Sequence, residues 1–259
     1  MKLNILVTSG GTTENIDTVR SISNMSSGRL GGIIAGKFAG EPAVEKIFYL
    51  CGRNSFKPQT EKLEIVCVDS VLSLENAVKE VIGKAGADII IHSMAVSDYR
   101  VKSITSTANI VDLVFSNLNL LKGLGEQEAK TALASLIGKS APVVHGDGKI
   151  SSNVDDMILF MERTPKIISL FQTLSPKSTL VGFKLLDNVP REILIDKGFQ
   201  VLTQNKCGFV LANDLREVEG ERHIGYLIDK DKNYTRYETK AEIADAIVSA
   251  TMREKGRRI

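Results

Sequence analysis

Tryptophan is missing from this chain, and cysteine and histidine occur only three times each. Cys51, Cys67 and Cys207 are odd in number and far apart, and each lies in or beside a strand-like run. They therefore read as reduced thiols and not as a disulfide framework. His92, His145 and His223 are isolated, no spacing of His, Cys and carboxylates fits a zinc site, and no Ser/His/Asp order is convincing. Metal hydrolysis and serine-type catalysis both lose support. An excess of one charge is lacking too: the net charge is +2 with Lys and Arg scattered, so there is no electrostatic footprint for nucleic acid. The basic stretch Arg253 to Arg258 reads as a frayed helix end. No apolar run reaches the length of a membrane span, and the N-terminus passes directly into a strand without a signal-peptide pattern. No membrane partner and a cytoplasmic location are expected.

What is present is a chain of 259 residues, 43% hydrophobic, enough for one large α/β domain over 1–259. Leu3 to Val7, Lys46 to Cys51, Leu63 to Val68, Asp88 to His92, Thr179 to Lys184 and Gly208 to Ala212 read as buried strands. Helices are expected over Val71 to Ile82, from Thr164-Pro165 to about Gln172, and from Pro190 to about Gln204. This alternation predicts a doubly wound, mostly parallel, Rossmann-like sheet whose ligands sit at the carboxyl ends of its strands. Residues 99–153 look irregular, with one helical piece near Glu126 to Ile137 and a glycine loop at Gly146 to Ser152, and are expected to form a flap or arm. Asp156 to Met161 reads as an edge strand. Residues 223–239 read as an antiparallel hairpin, and Thr239-x-x-Glu242 as the capping box of a last helix.

Glycine, hydroxyl and amide side chains concentrate between Val7 and Gly32. The first strand stops at Ser9-Gly10-Gly11-Thr12, and Ser26-Ser27-Gly28 is the expected start of a helix carrying Leu30, Ile33, Ile34 and Phe38. A strand, a glycine turn and a helix start leave backbone N–H groups aimed outward, where phosphate or carboxylate oxygens are attracted. The spacing is neither G-x-G-x-x-G nor G-x-x-x-x-G-K-[ST], so neither the dinucleotide fingerprint nor the P-loop applies. Ser93 to Asp98 lies at a second strand end and is expected to face the same ligand.

These residues resemble phosphopantothenate–cysteine ligases. Ser9-Gly10-Gly11-Thr12 with Ile16-Asp17, Val19-Arg20-Ser21-Ile22-Ser23-Asn24 and Ser26-Ser27-Gly28 are similar to the family's first signature. Ala95-Val96-Ser97-Asp98-Tyr99 resembles the second, Gly148-Lys149-Ile150-Ser151-Ser152 the flap lysine, Thr164-Pro165-Lys166-Ile167 the helix start, and Gly182-Phe183-Lys184-Leu185 with Ala212-Asn213-Asp214 the later strands. The resemblance implies activation of a carboxylate as an acyl-nucleotide, then attack by the cysteine amine. CTP is the implied nucleotide with ATP the alternative, Mg²⁺ would arrive with it, and a homodimer whose sites borrow residues from both chains is implied. Many members are fused behind a flavin-dependent decarboxylase, and this chain is expected to be the free-standing ligase.

The implied catalytic residues are Asn24, Lys149 and Arg20. Asn24 is to bind the acyl oxygen and the incoming amine, Lys149 to clamp phosphate, and Arg20 to bind phosphate bidentately. Nucleotide contacts are implied at Ser9, Gly10, Gly11, Ala95, Val96, Asp98, Lys149, Pro165, Lys166, Ile167, Ile168, Phe183 and Lys197. Substrate contacts are implied at Arg20, Asn24, Ser26, Ser27, Gly28 and Asn213, and Asp98 is the one candidate for a direct metal contact. A second family lysine falls here on Asn205 or Lys206. Read alone, Asn24 is a turn residue, Lys149 a solvated loop lysine, Arg20 a surface ion-pair partner and Phe183 a core residue. The rival functions are a nucleotide-binding sensor and an NADP-dependent oxidoreductase, the latter disfavoured by the missing dinucleotide fingerprint.

Overall fold

A computed structural model describes residues 2–138, 150, 156–220 and 222–257. In chain order the elements are β1 (Leu3–Ser9), β2 (Thr13–Asn15), β3 (Ser21–Ser23), α1 (Arg29–Ala39), β4 (Val44–Cys51), β5 (Leu63–Cys67), α2 (Val71–Ala85), β6 (Ile89–His92), β7 (Tyr99–Thr105), α3 (Thr107–Ser116) and α4 (Leu118–Leu121). They continue with α5 (Glu126–Gly138), β8 (Ile158–Arg163), α6 (Ile167–Leu174), β9 (Thr179–Leu186), α7 (Arg191–Gln204), β10 (Phe209–Asp214), β11 (Val218–Glu219), β12 (Arg222–Ile228), β13 (Tyr234–Thr239) and α8 (Lys240–Arg257). Two compact units result: Met1–Thr13, Ser23–Ser97 and Pro165–Ile259 make the first, Glu14–Ile22 and Asp98–Thr164 the second.

The first unit is built on a nine-stranded sheet in the order β11-β12-β10-β9-β6-β1-β4-β5, with β13 paired to β12. The strands from β10 through β9, β6, β1 and β4 to β5 are parallel. Successive residues of a strand point to opposite faces, and both faces are apolar, as a sheet with helices on each side requires. Ile5 and Val7, with Ile47, Tyr49, Ile89, Ile91 and Val181, form one layer with Ile34 and Phe38 of α1 and Ile243 and Ile247 of α8. Leu6, Leu50, Ile90, Leu180 and Val210 form the other with residues of α2, α6 and α7. The expected doubly wound sheet is thus present, and the hairpin β12–β13 adds its antiparallel edge.

Local chemistry explains several helix starts. Ser70 caps α2 by accepting from the Ser73 N–H at 3.2 Å, and the Ser73 hydroxyl oxygen accepts from the Ser70 N–H at 2.9 Å, a reciprocal capping box. The last helix opens as expected, with Thr239 Oγ1 accepting from the Glu242 N–H at 3.2 Å, though the Glu242 carboxylate reaches back to the Glu238 N–H at 2.8 Å. Two starts differ from expectation. Helix α1 has no serine side-chain cap; Gly28 precedes it at φ 69°, a left-handed conformation that favours glycine. A Cβ there would lie 2.9 Å from Ser9 Oγ and 3.1 Å from Gly10 N, so the helix start is pressed against the strand end and only glycine fits. Helix α6 begins at Ile167 after Lys166, two residues beyond Pro165, because Thr164 is held elsewhere by its N–H bond to Asp98 O at 3.0 Å.

The second unit is more regular than its sequence suggests. Strands β7 and β8 pair antiparallel, from Tyr99 opposite Arg163 to Thr105 opposite Ile158, and Ser106 then caps α3 by accepting from the Asn109 N–H at 3.2 Å. Helices α3, α4 and α5 contain no buried residue. The glycine loop at 146–152 falls, except for Ile150, outside the described residues. Among the described residues no helix is long and apolar enough to cross a membrane.

Candidate functional site

The order β6-β1-β4 creates a crevice, because the chain leaves β1 toward β4 on one side and returns to β6 on the other; ligands of such sheets bind at that reversal. The two loops leaving it are joined. Gly11 and Ala95 form a parallel bridge, the Ala95 N–H donates to Gly10 O at 2.8 Å, and the Thr12 N–H donates to Ala95 O at 3.1 Å. Thr12 Oγ1 accepts from the Ser97 N–H at 2.9 Å and donates to Ser97 Oγ at 3.1 Å, both side chains being buried. Asn24 closes the set: its N–H donates to Thr12 O at 3.1 Å and its Nδ2 to Ala95 O, also at 3.1 Å. The structure therefore brings Ser9, Gly10, Gly11, Asn24, Ala95 and Val96 together at one end of the sheet.

The floor of this crevice is tightly packed. Ser9 Oγ donates to Gly28 O at 2.9 Å and Ser93 Oγ to Thr8 O at 2.7 Å. A Cβ on Gly31 would meet those two hydroxyl oxygens at 2.4 and 2.5 Å, so the first turn of α1 seats directly on the strand ends. A Cβ on Gly10 would collide with Ser55 Oγ, and one on Gly32 would lie 2.4 Å from Phe56. The Phe56 N–H donates to Ser27 O at 2.9 Å, and Tyr49 OH donates to Phe56 O at 2.8 Å. Burial pushes the Tyr49 phenol up to about 12, so it stays a neutral donor. Ser26 and Ser27 are exposed and Gly28 is buried at this rim.

Helix α6 and β9 line the same edge from the other side. Pro165 and Lys166 are exposed, Ile167 is buried, and Ile168 reaches toward Gly182 on β9. Phe183 is half-buried and packs in the α1–α8 layer. Asn213 is buried near the end of β10, while Asp214 accepts from the N–H groups of Asn188, Val189 and Arg216 at 3.1, 3.0 and 2.9 Å. Lys197 is an exposed residue midway along α7, its Nζ donating to Gln200 at 3.2 Å. Asn205 and Lys206 lie where α7 hands over to the start of β10, at the amino ends of the strands and so opposite the crevice.

In the second unit Arg20 grips Asp17 through Nε at 3.0 Å and Nη2 at 2.7 Å. The guanidinium holds the Asp17 carboxyl well below the usual carboxylate range. The same pair binds both sides of one residue: Asp17 accepts from the Ile150 N–H at 3.1 Å, and Arg20 donates to Ile150 O at 3.2 Å. Lys149 itself lies outside the described residues. Asp98 is exposed, and its carbonyl accepts from Thr164 N–H.

Three participants escaped the sequence reading. Thr12 and Ser97 look like loop hydroxyls until their pairing across 85 residues is seen. His92 looks isolated, yet its Nδ1 bonds Thr8 Oγ1 at 2.8 Å and its ring meets Phe171 edge-on at 5.2 Å, tying β6 to β1 and to α6. Burial pushes its imidazole down to about 4, so it is neutral. Only the register of β1 with β6 shows this role. Among the described residues no group of three or more His, Cys, Asp or Glu side chains could hold a metal ion.

Known proteins share this fold. The DNA/pantothenate metabolism flavoprotein from Streptococcus pneumoniae is 31% identical, with a TM-score of 0.76 over 95% of this chain and 97% of that one. The coenzyme A biosynthesis bifunctional proteins CoaBC of Methanocaldococcus jannaschii and Thermococcus kodakarensis are 26% and 28% identical over 94% of this chain. The chain spans about half, 49%, of the length of these curated relatives. A Cab2 variant solved in complex with phosphopantothenate-cysteine shares the fold at 17% identity, with a TM-score of 0.63, over 99% of this chain and 88% of that one. Residues 1–141 match the family described as the DNA/pantothenate metabolism flavoprotein C-terminal domain. With more than half its length inside that match, the chain belongs to this family, as its resemblance to phosphopantothenate–cysteine ligases implies.

Proposed function

We propose that this chain acts in coenzyme A biosynthesis as a ligase that joins L-cysteine to 4′-phosphopantothenate. The observation that carries the reading is the Asn24 amide fixed on the Ala95 carbonyl, where the loops of β1 and β6 are bonded together. In this reading the substrate carboxylate is activated as an acyl-nucleotide with loss of pyrophosphate, an acyl-cytidylate with CTP or an acyl-adenylate with ATP. The cysteine amine then attacks the acyl carbon and the nucleoside monophosphate leaves.

The nucleotide triphosphate, the substrate phosphate and the reacting carboxylate are all anionic, so the protein's task is to hold charge and geometry with fixed donors. Asn24 suits the reacting centre because an amide both donates and accepts without changing charge, and its two backbone-directed bonds fix it before substrate arrives. The glycine turn and the N-terminus of α1 offer outward N–H groups to phosphate or carboxylate oxygens. Pro165 to Ile168, with Phe183, are proposed to receive the base, Lys197 a phosphate and Asn213 the pantothenate moiety. Lys149 is proposed as the phosphate clamp, with Arg20 and Asp17 anchoring the residue that follows it. With no three-ligand set among the described residues, Mg²⁺ would be held mainly by the nucleotide's own phosphates, where it would neutralise their charge. A homodimer in the cytoplasm completes the proposal. Pyrophosphate release that requires 4′-phosphopantothenate tests it, and a protein that binds nucleotide without turnover would be a sensor instead.

A further inference from the structure

Two cysteines that stand 16 residues apart in sequence are brought side by side at the outer end of the sheet. Cys51 ends β4, Cys67 ends β5, and the two are paired in register. Registered residues on adjacent strands sit about 4.8 Å apart, inside the roughly 4.4 to 6.8 Å window between Cα atoms that a disulfide needs. Both side chains project from one face: Cys51 belongs to the α1–α8 layer, Leu63 packs on that layer, Val66 packs on the opposite one, and the alternation of β5 returns Cys67 to the Leu63 side. Their exposure differs, since Cys51 is fully buried and Cys67 is open to solvent. Among the described residues β5 pairs with β4 alone, and the Val68 N–H donates to Cys51 O at 3.0 Å, so the register that sets the two cysteines opposite each other continues past Cys67.

We propose that Cys51 and Cys67 form a dithiol site that reacts with low-molecular-weight disulfides and closes to an intramolecular disulfide. The accessible Cys67, as thiolate, attacks one sulfur of a small disulfide RSSR, forming a mixed disulfide and releasing RS⁻, which takes the proton Cys67 gave up. Cys51 then attacks the Cys67 sulfur, the protein disulfide forms, and the second RS⁻ leaves and takes the Cys51 proton. The protein loses two electrons and two protons, and RSSR becomes two RSH. Burial pushes the Cys51 thiol up to about 11, with Cys67 beside it acting the same way and Lys57 opposing, so the second step is the slow one and quickens as pH rises. The bond would tie the outer strand to the one that backs the crevice. Cys51 is in register with Ser9, and the Gly52 N–H donates to Ser9 O at 3.3 Å.

Oxidised glutathione added to the full reduced chain, followed by alkylation and mass measurement, tests this. The expected course is a glutathione adduct on Cys67 that gives way to a species lighter by two hydrogens, with one peptide linking Cys51 to Cys67, and a conversion rate that rises with pH. Cys51→Ser should stop at the adduct, and Cys67→Ser should stay reduced; Cys51→Ala replaces the first variant if serine unfolds the buried position. A wild-type protein that stops at the adduct, links Cys67 between two chains, or reacts first at Cys207 would overturn the proposal.

Discussion

Replacing Gly31 with Ala tests how tightly α1 is seated on the strand ends. In an unencumbered helix this change is stabilising by up to about 1 kcal/mol, because alanine loses less backbone freedom than glycine. Here the new Cβ would lie 2.4 Å from Ser9 Oγ, 2.5 Å from Ser93 Oγ and 2.8 Å from Ser9 Cβ. Neither hydroxyl can turn away freely, since each donates to a backbone carbonyl, Ser9 to Gly28 and Ser93 to Thr8. Breaking both bonds costs about 0.5 to 1.5 kcal/mol each, and moving the helix instead carries an overpacking cost of about 1 to 3 kcal/mol. Set against the propensity gain of about 1 kcal/mol, the expected net change is a loss of about 0 to 2 kcal/mol in urea unfolding with an unchanged slope. Gly36→Ala on the same helix is the control, because its Cβ would meet only Pro58 at 3.7 Å and the full propensity gain should appear. In a Ser93→Ala background the cost of Gly31→Ala should shrink. If Gly31→Ala stabilises as much as Gly36→Ala, the helix is not held against β1 and β6 as described.

Asp214→Ala leaves three backbone N–H groups of the β9–α7 turn and of Arg216 without their charged acceptor, and should lower stability by about 1.5 to 3 kcal/mol, read from thermal or urea unfolding. Asn188 sits in that turn at φ 55°, so Asn188→Gly should recover part of the loss. Acid should weaken the fold in a defined window: burial, with Lys240 adding to it, pushes the His223 imidazole from an ordinary 6.5 down to about 4. Between those values the unfolded chain binds the proton and the folded one does not, so the stability is complete above pH 6.5 and is lost as pH falls toward 4, by at most about 1.4 kcal/mol per pH unit. His92 is pushed down to about 4 as well and adds an equal slope in the same window, so His223→Leu, which removes two ring nitrogens that are buried without a partner among the described residues, should lower the slope of the urea-midpoint profile there by about half. Asn24→Ala and Asn24→Asp should keep the far-ultraviolet dichroism of the parent and lose ligation, whereas a loss of helix signal would make Asn24 a structural turn residue.

The parallel sheet was readable because its strands are buried on both faces and appear as apolar runs, Leu3 to Val7 and Asp88 to His92 among them. The start of α1 was not, because the feature that sets it is the absence of a Cβ at Gly28 against Ser9, a contact between residues 19 positions apart. β7 and α3 escaped notice for the opposite reason: their residues are mostly exposed, and the strand's partner lies some 60 residues on in β8. The glycine turn stands out by composition and Asn24 by the family resemblance, while the bonds that join this stretch to Ala95 and Ser97 depend on the register of β1 with β6.

The most direct measurement combines the purified chain with 4′-phosphopantothenate, L-cysteine, Mg²⁺ and either CTP or ATP, and follows pyrophosphate and product mass together. The expected result is phosphopantothenoylcysteine in step with pyrophosphate, a nucleoside monophosphate as the other product, and acyl-nucleotide accumulation when cysteine is omitted. Nucleotide binding with neither pyrophosphate nor product, under conditions where the fold is intact, would contradict it.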